Sequence, residues 1–63
     1  MQNNTHLLTY TLVDDPYNEY EEEATSIRDA IKKAKYIVDT YVVAGEITIY
    51  DSDGVEVIGY EVN

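Results

Sequence analysis

The chain has 63 residues, of which 13 are Asp or Glu and four are Lys or Arg, so its formal net charge is −9. Such a surface repels nucleic acid and anionic lipid and attracts basic proteins. The absence of Cys excludes disulfides and thiolate metal sites, and a single His cannot build a zinc site unaided. An apolar content of 44% with clear periodicity argues against disorder.

A chain of this size forms one small domain, assigned here to residues 1–63, and buries only about 60% of its unfolded surface. Because so small a core gives marginal stability, we expect a partner, either a second copy or another protein, to add to it. No charged segment followed by an apolar run opens the chain, and no stretch approaches the length of a membrane span. We therefore expect a soluble cytoplasmic protein without membrane contact.

Residues 6–13 alternate between two faces and predict a first strand, with Leu8, Tyr10 and Leu12 on one side. Residues 14–18 predict a turn, in which Pro16 fixes φ and Asn18 tolerates a left-handed conformation. Residues 19–24 alternate as well and predict an edge strand that pairs back on the first. The alternative for this segment is an acidic loop leading into a helix.

One long segment, residues 27–43, repeats apolar side chains at three- and four-residue steps and predicts the only helix. Ser26 is the expected N-cap, with Asp29 three residues later completing a capping-box pattern. Gly45 suits the C′ position beyond the last turn. Spacing by four residues predicts ion pairs between Asp29 and Lys33 and between Lys35 and Asp39. All four basic residues lie in this segment.

Residues 46–51 and 55–62 predict two further strands, joined by a hairpin turn that ends in Gly54. In the last strand Val55 and Val57 share one face, while Ile58, Tyr60 and Val62 share the other. Gly59, at this change of phase, suggests a β-bulge.

The predicted fold is therefore α+β: a four-stranded antiparallel sheet with one helix on one face, in the order ββαββ. If the second strand does not form, the order is βαββ. One helix covers only one face of the sheet, so the other would expose apolar and tyrosine side chains. A homodimer formed through the sheet would cover this face, for which the candidate residues are Leu7, Val13, Tyr50 and Tyr60.

Acidic residues form two clusters, residues 14–23 and residues 46–61. Carboxylates two residues apart on one face of a strand lie about 6.6 Å apart, and rows at that spacing can imitate the charge of DNA. The structural alternative is a solvated edge strand with ordinary turns. The candidate partner-binding residues are Asp14, Asp15, Glu19, Glu21, Glu22 and Glu23, with a second patch of Asp51, Asp53 and Glu56.

Catalytic and metal-binding chemistry find little support in the sequence. The Asp51–Gly54 segment resembles part of a calcium loop, but an EF-hand needs a Glu six residues after the Gly, where this chain has Tyr60. Paired carboxylates need a pocket for acid–base work, and the chain is small for one. His6 has no evident nucleophile to activate. We expect a non-enzymatic protein without metal or cofactor.

The segments 26–31 and 47–54 resemble those of many short bacterial and phage proteins of ββαββ layout. In size and acidity the chain also resembles small phage-encoded DNA mimics, including the type that inhibits the bacterial nucleoid protein HU. That resemblance implies an acidic, often dimeric protein that occupies a partner's DNA-binding surface. The basic residues gathered on the helix depart from a wholly acidic surface, so a mimicking surface should lie away from the helix.

The sequence therefore predicts an inhibitor that binds a basic bacterial DNA-binding protein and competes with DNA, without binding nucleic acid itself. If it is phage-encoded, it would act in the host cytoplasm. The alternative is a structural or adaptor module whose exposed sheet face binds a protein through apolar and tyrosine contacts, with acidity serving solubility. The two differ in salt dependence, which is steep for the first and weak for the second.

Overall fold

The structure is a computed structural model that describes residues 5–61. Its elements are β1 (His6–Leu12), β2 (Asp15–Ala24), α1 (Ile27–Thr40), β3 (Val43–Tyr50) and β4 (Glu56–Glu61). The four strands form one antiparallel sheet in the order β2-β1-β3-β4. The helix packs on one face of this sheet, so the predicted ββαββ fold is confirmed. The only helix within the described residues is too short and polar to cross a membrane.

The core lies between α1 and the two central strands. Leu8, Ile47 and Ile49 are fully buried from the sheet. The helix contributes side chains at four- and three-residue steps, namely Ala30, Ala34 and Ile37. Each fully buried Leu or Ile contributes about 1.5–3 kcal/mol to folding, and the two alanines leave room for the helix backbone to approach the sheet.

The helix begins as predicted. The Ser26 hydroxyl accepts a hydrogen bond from the Asp29 N–H at 3.0 Å, which satisfies one of the free donors of the first turn. The Asp29 carboxylate accepts from the Thr25 N–H at 3.0 Å, one residue earlier than in a standard capping box. That bond is the main reason why the pKa of Asp29 is lowered, and Lys33, 3.7 Å away, lowers it further.

The helix ends three residues before the predicted position. Its C-cap is Tyr41, an extended residue whose N–H donates to the Ile37 carbonyl at 2.8 Å. Val43 opens β3 instead of closing the helix, since β-branched residues favour extended backbone. Gly45, predicted at C′, lies inside β3 with φ +79°. It accompanies a register shift between β1 and β3 and has the left-handed φ of a glycine bulge.

The first hairpin is tighter than predicted. Its loop is only Val13 and Asp14, and β2 already begins at Asp15, so residues 15–18 belong to a strand and not to a turn. Asn18 does not adopt the left-handed conformation expected of it, because none of the described residues other than glycine has positive φ. Pro16 is tolerated because β2 is an edge strand. The prediction of an edge strand over residues 19–24 is confirmed.

The second hairpin is organised by Asp51. Its carboxylate accepts hydrogen bonds from the N–H groups of Asp53 and Val55, each at 2.9 Å. In β4 the pairing passes from Ile58, opposite Ile49, to Glu56, opposite Tyr50, so Val57 has no partner. The bulge therefore lies at Val57 and not at Gly59, where it was predicted. Val62 falls outside the described residues.

Candidate protein-binding surface

The sheet face turned away from α1 carries residues that the strand register aligns across all four strands. Opposite residues of an antiparallel pair share a face, so one row joins Glu23, Leu7, Tyr50 and Glu56, and the next joins Glu21, Thr9, Thr48 and Gly59. We call this side the open face. Its centre consists of Leu7, Thr9, Thr48 and Tyr50, which are buried or half-buried.

Carboxylates occupy both lateral margins of the open face. Glu21 and Glu23 lie on β2 at one margin, and all the acidic residues concerned are exposed. At the other margin lie Glu46 of β3, paired with Glu61 of β4, and Glu56. A Cβ placed on Gly59 would lie 2.7 Å from the Glu46 carboxylate, so this carboxylate covers the space that a side chain at position 59 would fill.

No cation of the described residues neutralises the open face. All four Lys and Arg residues belong to α1, which packs on the opposite side of the sheet. The one ion pair found within residues 5–61 joins Lys33 and Asp29 in the helix, at 3.7 Å. The predicted pair of Lys35 with Asp39 is not formed. Five carboxylates therefore share the open face without a neighbouring base.

Neither of the two acidic patches predicted as a partner surface lies on one side of the sheet. Glu21, Glu23 and Glu56 lie on the open face, whereas Glu22 pairs with Leu8 and lies on the helix side of the sheet. Asp14 and Asp53 are exposed in the two hairpin turns, at opposite ends of the sheet, and Glu19 is exposed on the β2 edge. Strand alternation alone separates Glu22 from its two neighbours.

Two of the predicted aspartates, Asp15 and Asp51, already accept hydrogen bonds from residues of this chain. The Asp15 carboxylate accepts hydrogen bonds from Asn18 at 2.8 Å and from the Tyr20 hydroxyl at 2.5 Å. The bond to Asp15 is the main reason why the pKa of Tyr20 is raised. The Asp51 carboxylate holds the second turn, as described above. These two carboxylates are less available to a partner than their exposed neighbours.

The candidate dimer face is corrected in two positions, Tyr60 and Val13. Leu7 and Tyr50 lie on the open face as predicted. Tyr60 does not, because it pairs with the buried Ile47 and packs against the core on the helix side. Val13 is 57% exposed in the hairpin turn, where it lines a cavity of about 350 Å³ with residues that include Tyr41 and Val42.

Glu46 and Glu61 belong to the second acidic cluster but are not among the candidate residues that the sequence predicts. The signal was present, since Glu46 alternates with the buried Ile47 and Ile49 and must lie opposite them. The position of Glu61 follows only from the hairpin register, which pairs it with Glu46. Like charges opposite each other destabilise a sheet, so this pair costs stability unless a partner's cation neutralises it.

Among residues 5–61, no three His, Cys, Asp or Glu side chains are grouped so that they could hold a metal ion. His6 is half-buried in β1, and its Nδ1 has no hydrogen-bond partner among the described residues.

Comparisons of the chain with models of protein families, with curated proteins and with solved structures found no match.

Proposed function

We propose that this protein is a non-enzymatic inhibitor that binds a basic bacterial DNA-binding protein, such as the nucleoid protein HU, and competes with DNA. The observation that carries the proposal is the open face, with carboxylates along both margins and no base among them. A surface of this kind attracts a Lys- and Arg-rich protein at long range and speeds the encounter.

The dimensions of the open face support the same proposal. Neighbouring strands lie about 4.8 Å apart, so the two margins are separated by roughly 14 Å, while carboxylates two residues apart along β2 lie about 6.6 Å apart. A partner whose Lys and Arg side chains are spread over a DNA-binding surface can therefore meet both rows of carboxylates at once.

The test is competition between this protein and a DNA duplex for HU, measured by the release of labelled DNA. Glu21→Gln together with Glu23→Gln should raise the concentration for half-release about tenfold, since two exposed ion pairs contribute about 1.4 kcal/mol together. Inhibition by the wild type should weaken steeply between about 0.05 M and 0.5 M salt, because screening shortens with ionic strength.

A matched control is Asp14→Asn together with Asp53→Asn, which removes two exposed charges from the hairpin turns and leaves the open face intact. We expect this variant to change the half-release concentration less than twofold to threefold, as general charge loss would. If the two double variants behave alike, net charge and not the open face governs binding. If the wild type releases no DNA, HU is not a target.

The adaptor alternative requires an apolar sheet face. The open face offers only Leu7 and Tyr50, both half-buried, and the centre of its next row consists of Thr9 and Thr48. Its polar centre and acidic margins favour a charged partner over an apolar one, so we keep the inhibitor as the proposed function.

A further inference from the structure

A groove separates α1 from the edge strand β2 on the helix side of the sheet. It has a volume of about 280 Å³ and is lined by Tyr10, Glu22, Lys33, Tyr36, Ile37 and Tyr41. We propose that this tyrosine groove binds one cationic side chain, a guanidinium or an alkylammonium, of the protein's partner. The identity of that partner rests on the proposed function; the binding of the cation does not.

Aromatic rings dominate the lining of the tyrosine groove. Tyr10 is only 8% exposed and stacks on Tyr20 with 5.6 Å between ring centroids, which fixes its orientation. Tyr36 and Tyr41 are 66% and 49% exposed, so their rings remain accessible to a ligand. Tyrosine faces attract cations through the ring quadrupole, so three rings around one groove favour a cationic occupant.

Glu22 is the only carboxylate that lines the groove. Its side chain is exposed, and its carboxylate makes neither a hydrogen bond nor an ion pair with any of the described residues. Its charge raises the pKa of Tyr10, second to the effect of burial, which shows that carboxylate and ring are close. An incoming cation would meet both a carboxylate and aromatic faces.

Lys33 also lines the groove, but its ammonium is already engaged. Its Nζ donates to the Glu23 carbonyl at 2.6 Å and lies 3.7 Å from the Asp29 carboxylate. These contacts tie the ammonium to the end of β2 and to the first turn of α1, and they leave Glu22 uncompensated. With Asp29 counted, the carboxylates around the groove outnumber the ammonium.

The size of the groove favours a single side chain over a metabolite. Pockets for drug-sized ligands measure about 300–1,000 Å³, so a volume of about 280 Å³ lies below that range. An anionic or purely apolar occupant would leave Glu22 facing it without compensation, which costs free energy. A cation on a flexible stem meets both requirements.

The test is a titration with the amide of N-acetyl-arginine, followed by NMR of the full chain, beside the neutral amide of N-acetyl-glutamine. We expect shifts centred on Tyr10, Tyr36 and Tyr41 with the arginine probe only. Glu22→Gln should weaken binding about fivefold to tenfold, equivalent to one well-placed ion pair. Tyr36→Ala should weaken it about threefold through loss of a cation–π contact.

Two controls separate the groove from general charge and general aromaticity. Asp53→Asn removes the same charge from the exposed second hairpin turn, away from both the groove and the open face, and Tyr17→Ala removes a ring that is 97% exposed. Both should leave the affinity for the arginine probe unchanged within a factor of about two. The inference is overturned if Asp53→Asn weakens binding as much as Glu22→Gln, or if the probe causes no shifts around the groove.

The proposed function and this inference can fail separately. Arginine binding without inhibition of HU would leave the groove standing and remove HU as the target. If Glu22→Gln leaves arginine binding intact while Glu21→Gln with Glu23→Gln abolishes HU inhibition, the groove is rejected and the open face stands.

Discussion

The Asp15 carboxylate accepts hydrogen bonds on both oxygens from residues of its own strand, β2. One accepts from Asn18 and the other from the Tyr20 hydroxyl at 2.5 Å, and the Tyr20 ring in turn stacks on Tyr10 of the neighbouring strand. Hydrogen bonds to a charged group are stronger than neutral ones. Asp15 lies in a stretch of residues that are typical of turns, yet through Tyr20 it helps to hold the edge strand β2 against β1.

This arrangement predicts an alkaline loss of stability. The bond to Asp15 holds the Tyr20 proton and raises the Tyr20 pKa above 10.0, so its contribution is complete below about pH 10 and is lost as the pH rises through the folded-state pKa. In urea unfolding, the wild-type midpoint should fall between about pH 9 and pH 11.5. The Tyr20→Phe variant, which keeps the ring stack, should fall less.

Some alkaline loss should remain in Tyr20→Phe, because burial also raises the pKa of Tyr10. The control is Tyr17→Phe, at a ring that is 97% exposed, which should retain the full wild-type fall. Equal falls in Tyr20→Phe and the wild type would mean that the bond to Asp15 does not contribute to stability.

Sequence patterns could not separate the aspartates that serve the fold from those left exposed. Asp14 and Asp15 are neighbours with the same chemistry, yet only Asp15 has Asn18 and Tyr20 within reach, and that reach depends on where β2 begins. Asp51 and Asp53 differ in the same way, since the turn geometry directs two N–H groups to Asp51 alone. The available acidic surface is therefore a product of tertiary geometry.

At the level of elements, the helix and four strands follow from periodicity, and the boundary between α1 and β3 was predicted wrongly because two periods overlap there. Tyr41 and Val42 continue the apolar stripe of α1 on a helical wheel, but the β-branched side chains of Val42 and Val43 also suit a strand. The strand prevailed because Val43 pairs with Leu12 and is buried there. A glycine shortly after such a segment fits a helix end or a bulge equally well.

Gly45 provides the test of this corrected boundary. Its φ is +79°, and a Cβ built on it would meet no atom within 4 Å, so any cost of Gly45→Ala comes from the backbone and not from a clash. We expect a loss of about 1–2 kcal/mol in urea unfolding, the usual cost of left-handed backbone for a residue with Cβ.

Gly45→Asn is the matched comparison, since Asn tolerates the left-handed region better, and it should cost less than Gly45→Ala. If Gly45→Ala unfolds at the wild-type urea concentration, the strand does not require this conformation, and the bulge assignment is wrong.

At the scale of the whole molecule, charge is divided between the two sides of the sheet. The helix holds all four basic residues with two of the 13 acidic ones, and the other acidic residues lie outside it. Period-two patterns indicated that the strands are two-faced, but they could not decide on which face the side chains of β4 lie. Only the pairing of Ile58 with Ile49 and of Tyr60 with Ile47 fixes this.

The homodimer through the sheet stays a prediction, and the open face determines its salt dependence. Two open faces in contact would bring ten carboxylates together without a base, so self-association through them should be weak at about 0.05 M salt and stronger at about 0.5 M, where charges are screened within a few ångströms. Sedimentation velocity on the same sample at both salt concentrations measures this. The expected trend is opposite to the one expected for the proposed binding to HU.

Glu21→Gln together with Glu23→Gln should raise the dimer fraction at low salt, because it removes four charges from such an interface. A monomer at both salt concentrations would contradict a dimer through the open face. A dimer that is already complete at low salt would have to use another surface, and the exposed side chains of Val13, Tyr41 and Val42 at the hairpin end would be the first to substitute. Val42→Ser would then dissociate it, whereas the charge variant would not.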